Sequence, residues 1–260
     1  MKSVCAFVVG VLIVLGPKES RASVERIEVP IGQIFMMPTG PAQGYDDNHS
    51  IQIVLDGLLP NGCYSISDDP VTVDLLSKQI HPRLFAKHRI DGPCADESHL
   101  ASFLQAPVPY TLDLALGTLN MGDYKIVFPR PGLPEGNKLF SVQKARVPSI
   151  DNYPYASVSS VWIPDSVRGD LPIEIELTGS LTSSCSVLDP KVTAQLEGDV
   201  FVVSPKTDFV FDPPCVPEMK PFQKTVTLDA PGEGRYLIHV RSQNGHAVNR
   251  AFSALVPDPE

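Results

Sequence analysis

The residues able to do chemistry in this 260-residue chain are few, and they cluster. His81, His88 and His99 crowd the stretch around Cys94, together with Asp91, Asp96 and Glu97. Imidazole suits zinc and copper, so a metal-dependent enzyme built on His81, His88 and His99 is one reading of this stretch. The spacing matches no standard ligand pattern, and the first reading is a solvated loop that binds no metal. Nucleophilic catalysis finds no support. There is no Gly-x-Ser-x-Gly elbow and no Gly-rich phosphate loop ahead of a helix. Asp68 and Asp69 are adjacent in turn-like sequence, whereas a glycosidase needs two carboxyl groups flanking a substrate. Asp46 and Asp47 lack the alternating acids, central Gly and closing Glu of a calcium loop. No cofactor is expected, and the chain is read as non-enzymatic. Asn48-His49-Ser50 forms a sequon, which makes Asn48 a glycosylation candidate.

The cysteines carry a different chemistry. Cys5 lies in an apolar run, Val4 to Gly16, preceded by Lys2 and followed by Ser20-Arg21-Ala22. A bilayer span needs about 20 residues, so this shorter run reads as a secretory signal, residues 1–22, cleaved from the mature chain. The expected location is therefore periplasmic or secreted, and no membrane span is expected in the mature chain. Loss of Lys2, Lys18 and Arg21 against Glu19 moves the formal charge from −9 to −11. That acidity speaks against nucleic acid and anionic membranes as partners.

Cys63, Cys94, Cys185 and Cys215 remain, and an internal repeat pairs them. Ile51 to Cys63 aligns with Ile173 to Cys185 at an offset of 122. Further on the offset is 112, matching Pro109 with Pro221, Tyr124 with Tyr236 and Phe140 with Phe252. The repeat predicts disulfides Cys63–Cys94 and Cys185–Cys215, each closing a loop of about 30 residues. The first copy carries nine extra residues between Cys94 and Pro109, which shift the offset. Asp96, Glu97, His99 and Phe103 fall in this insertion and form the candidate recognition element. A helix is expected over Ser98–Ala106, capped by Asp96.

With 26 prolines and 18 glycines, a helical bundle is excluded. Apolar residues alternate with period two in Ile51-Gln-Ile-Val-Leu, Tyr124-Lys-Ile-Val-Phe and Tyr236-Leu-Ile-His-Val. Such alternation sets one strand face on a core and the other in water. Asn244-Gly245 between Arg235–Arg241 and Ala247–Leu255 predicts a two-residue hairpin turn. Trp162 is placed in the core, His239 on the surface, and Tyr153 and Tyr155 in a linker.

Leu228-Asp-Ala-Pro-Gly-Glu-Gly-Arg-Tyr236-Leu-Ile-His-Val240 resembles the corner of fibronectin type III and immunoglobulin-like sandwiches. There a tyrosine ties a Gly-containing turn to the strand that follows. Leu116 to Phe128, with Tyr124, is similar. The cysteine that immunoglobulin domains carry two residues after that tyrosine is replaced by Ile126 and Ile238. The resemblance implies an all-β chain of two tandem immunoglobulin-like β-sandwiches, residues 25–146 and 155–257, joined by a linker at 147–154. The function expected is a non-catalytic binding or structural module that recognises a protein or surface ligand through loops or strand edges. A periplasmic assembly chaperone, which also has two immunoglobulin-like domains, is the other reading.

Overall fold

The computed structural model describes residues 24–37, 44–90, 92–94, 102–130, 134–210 and 214–256, leaving aside the side chains of 68–76, 92, 102 and 103. The described chain is all-β. Its N-terminal half contains β1 (Val24–Val29), β2 (Gln33–Met36), β3 (Gly44–Asp46), β4 (Ile51–Leu59), β5 (Tyr64–Leu76) and β6 (Gln79–Arg89). A single helical turn, α1 (Ser102–Gln105), precedes β7 (Val108–Gly117), β8 (Gly122–Phe128) and β9 (Gly136–Gln143). One sheet runs β1-β6-β8-β9-β3, with β5 also paired to β6, and the other runs β2-β4-β7. Ile51, Ile53 and Leu55 from the second sheet meet Ile80, Ile126, Phe128 and Phe140 from the first in one core.

The C-terminal half repeats this plan with β10 (Ser157–Trp162), β11 (Ser166–Arg168), β12 (Ile173–Ser183), β13 (Ser186–Leu188), β14 (Thr193–Glu197) and β15 (Val200–Ser204). It continues through β16 (Thr207–Phe209), β17 (Pro217–Leu228), β18 (Gly234–Arg241) and β19 (Ala247–Leu255). The sheets are β10-β12-β17, β11-β19-β18-β15-β14 and the small β13-β16 pair. Their core holds Ile173, Ile175, Leu177, Phe201, Ile238 and Phe252. The repeat extends to strand register. Gly44 pairs with Ser141 between parallel β3 and β9, and Ser166 with Ser253 between parallel β11 and β19. These are the same positions under the offsets of 122 and 112. Each half carries one disulfide, Cys63–Cys94 with Cα atoms 5.7 Å apart and Cys185–Cys215 at 5.4 Å.

Several local expectations need correction. Trp162 is 63% exposed and not in a core. A register shift between Val158 and Ser160 puts Val158 and Val161 both on the inner face, which turns Trp162 outward opposite Glu176. His239 is 5% exposed, because the outer face of its strand is covered by the N-terminal half. Tyr155 is likewise buried, bridged to Lys206. The hairpin after β18 has a three-residue loop, Gln243–Gly245, in which Asn244 and Gly245 take positive φ. Within the expected helix Ser98–Ala106 only Ser102–Gln105 is helical among the described residues, and 95–101 lie outside them. The signal segment 1–22 also lies outside them. No helix among the described residues is long and apolar enough to cross a membrane.

The two corner tyrosines make matching bonds. Tyr124 donates its hydroxyl proton to the Asn120 carbonyl at 2.9 Å, and Tyr236 to that of Pro231 at 2.7 Å. Each hydroxyl ties the turn to the strand that leaves it. Tyr236→Phe keeps the ring against Phe252 and deletes only this bond. Urea unfolding should show it less stable by about 1 kcal/mol with an unchanged m-value.

Candidate functional site

Most of the buried charge lies along the seam between the halves. Phe35 of β2, Met37 just past its end and Val54 of β4 pack with Val200, Val202, Leu237 and Ala251 of β15, β18 and β19. Beside this apolar patch stands Asp56, 5% exposed. Arg235 donates to both of its oxygens, Nη2 to Oδ1 at 2.8 Å and Nε to Oδ2 at 3.0 Å. Thr111 adds a third bond to Oδ1 at 3.0 Å. Such a fork satisfies a carboxylate that would otherwise be costly to bury.

A second polar chain runs alongside. Asn249 donates from Nδ2 to Asp113 Oδ1 at 3.0 Å, so its Oδ1 faces His239 Nδ1, 2.8 Å away. That orientation requires the proton on Nδ1 of a neutral imidazole. Burial, with Arg241 nearby, lowers the His239 pKa from 6.5 to about 4 despite the Asn249 bond. Burial acts on Asp113 in the opposite sense and raises its carboxyl pKa, offset by Asn249. Asp199, in the turn between β14 and β15, accepts from Gln33 at 2.9 Å and from Lys138 at 3.3 Å. Arg241 approaches Asp151 at 3.7 Å, at a cavity of about 20 Å³ that Tyr45 and Ser242 also line. That volume is room for a single water.

The two disulfide ends differ. In the first half Tyr64 stacks on His88, ring centroids 4.3 Å apart, and Leu104 of α1 packs on Cys63 and Cys94. The Leu104 carbonyl accepts from Gly62 at 2.8 Å. The described part of the insertion thus covers a disulfide. In the second half the positions of Tyr64 and His88 are taken by Ser186 and Phe209, again directly paired. No counterpart of Leu104 covers them among the described residues, and Phe209 is 61% exposed. Val210 and Val216, bonded to Cys185 and Ser184, are also exposed, as is Met219.

Asp96, Glu97 and His99 lie outside the described residues, as does the Phe103 side chain. His81 and His88 sit seven residues apart on β6, on opposite faces and about 23 Å apart along the strand. They are not brought together, and no group of three metal-ligating side chains occurs among the described residues. Asn48 is exposed and donates from Nδ2 to the Val147 carbonyl at 3.0 Å. The seam residues escaped the sequence reading, although the broken repeat marks them. Asp56 stands where the second copy has Thr178, and Arg235 where the first has Asp123. No family model matches the chain, and no curated protein or solved structure shows significant similarity to it.

Two outcomes follow from the seam. Arg235→Met leaves Asp56 buried and unpaired and should cost about 3–5 kcal/mol in urea unfolding, with much of the loss recovered in Asp56→Leu/Arg235→Met. His239 binds its proton only below about pH 4 when folded but near pH 6.5 when unfolded. Its neutral burial therefore adds stability above pH 6.5 that is lost as pH falls toward 4, by about 3 kcal/mol. The Asp113 carboxyl, whose pKa burial raises, contributes in the opposite sense. The test is accordingly the difference between wild type and His239→Val across pH 4 to 7, which should slope for His239 and vanish if the imidazole is solvated when folded.

Proposed function

We propose that this protein is an extracytoplasmic, non-catalytic binding module of two tandem immunoglobulin-like domains, secreted by cleavage of residues 1–22. The immunoglobulin-like reading is supported by the paired sheets of each half and by the Tyr124 and Tyr236 hydroxyl bonds. Secretion is supported by the two disulfides, which persist in oxidising compartments. A non-catalytic role is supported by where the buried charge goes. Asp56, Arg235, Asp113 and His239 are engaged in joining the halves.

The observation that carries a binding role is the rim of the Cys185–Cys215 disulfide, which no counterpart of Leu104 covers among the described residues. The matching surface of the first half is closed by Leu104 and by the Tyr64–His88 stack. On the second half Phe209, Val210, Val216 and Met219 are left to solvent. A cluster of this kind marks a contact site. Its occupant is an apolar segment of a partner protein, taking the place that Leu104 takes on the first half.

A photoreactive residue at Phe209, expressed in the producing cell, should give one discrete adduct that the same residue at exposed Lys191 does not. Phe209→Ser/Met219→Ser should unfold within about 0.5 kcal/mol of wild type yet fail to compete for that adduct. Equal labelling from both positions, or full competition by the variant, would remove the binding reading.

A further inference from the structure

The seam joins two different faces, one from each half, and each half owns both. The N-terminal half uses the outer face of β2-β4-β7, while the outer face of β8 and β9 carries exposed Asp123, Lys125 and Leu139, the last beside a cleft that Ala194–Asp199 also line. The C-terminal half uses the outer face of β15, β18 and β19 and leaves free that of β10-β12-β17. At the centre of the seam, two cross-strand pairs belong to one apolar cluster: Phe35 with Val54, and Leu237 with Ala251. Each pair has a counterpart on the free face of the other half. The offset of 122 takes Val54 to Glu176, and the residue directly opposite Glu176, as Phe35 is opposite Val54, is Trp162. Leu237 and Ala251 become Lys125 and Leu139, also directly opposed.

The two free pairs complement each other. Each offers one large apolar side chain, Trp162 at 63% and Leu139 at 73% exposure. Each offers one charge, and the signs are opposite. The neighbouring polar contact is also replaced on both sides: Arg235 with Asp56 becomes Asp123 with Thr178, a carboxylate that can accept from a hydroxyl. The free faces therefore match as the buried ones do, with a Lys–Glu pair and a Trp–Leu contact in place of four apolar side chains.

We propose that the protein associates head to tail with further copies of itself, the free β10-β12-β17 face of one copy seating on the free β8-β9 face of the next in the geometry of the seam. A contact between unlike faces leaves one of each unused at the ends, so it builds an open series or a ring and not a closed dimer. The two readings are told apart by their tests, since self-association is measured on purified protein alone and the Phe209 adduct needs the producing cell.

The test is sedimentation velocity of the full mature chain over a concentration series. Wild type should form concentration-dependent oligomers that weaken with salt, because the Lys125–Glu176 pair is screened. Glu176→Lys and Lys125→Glu each set like charges against one another and should each weaken association by roughly tenfold or more. An equimolar mixture of the two variants restores opposite charges at every contact, native at one and swapped at the next, and should recover oligomers. That recovery also shows both variants to be folded. Trp162→Ser should weaken association at all salt concentrations. A wild type that stays monomeric throughout the series, or variants that associate as wild type does, would overturn the proposal, as would a mixture no more associated than its components.

Discussion

A carboxylate withdrawn from water has to be met by a charge, and Asp56 is met by Arg235 from 179 positions further along the chain. The fork geometry leaves little freedom in how β4 and β18 face one another. With that alignment set, Phe35 and Val54 fall on Leu237 and Ala251, Asn249 reaches Asp113, and Gln33 reaches Asp199. The apolar patch supplies attraction without direction, while the fork and the flanking amide bonds supply direction. The halves share a plan, but their union relies on residues in which they differ.

That dependence explains what was readable in the sequence. Alternation in Ile173-Glu-Ile-Glu-Leu locates the inner face of β12, since Ile173, Ile175 and Leu177 are buried while Glu174 is exposed. The same alternation in β4 and β18 locates the inner faces but is silent about the outer ones. Val54, Leu237 and His239 sit at the positions that alternation assigns to water, and another sheet covers them. Periodicity reports the two sides of a strand; it does not report a second layer beyond. Trp162 departs from the alternation for a more local reason, the shift in register after Val158, which reverses the phase of the remaining residues. The turn residues Asn244 and Gly245 were legible because positive φ is a local demand that few residue types meet.

The disulfide ends show how a duplicated plan acquires different surfaces. The bond, its strand neighbours and the amide donated to its first cysteine carbonyl, from Arg89 in one half and Val210 in the other, are shared. What sits above the bond is not. One copy has Leu104 of α1 over the cysteines, and where it has a stacked aromatic pair the other has a serine and an exposed phenylalanine.

The parallel pairing of β11 with β19 bears on how the C-terminal half would respond to tension. Ser166, Val167 and Arg168 run alongside Ser253, Ala254 and Leu255 in the same direction. A pull toward the N-terminal side on β11 and toward the C-terminal side on β19 slides the strands past one another. Their hydrogen bonds lie across that direction and share the load, so they must yield together instead of opening one by one as a zipper does.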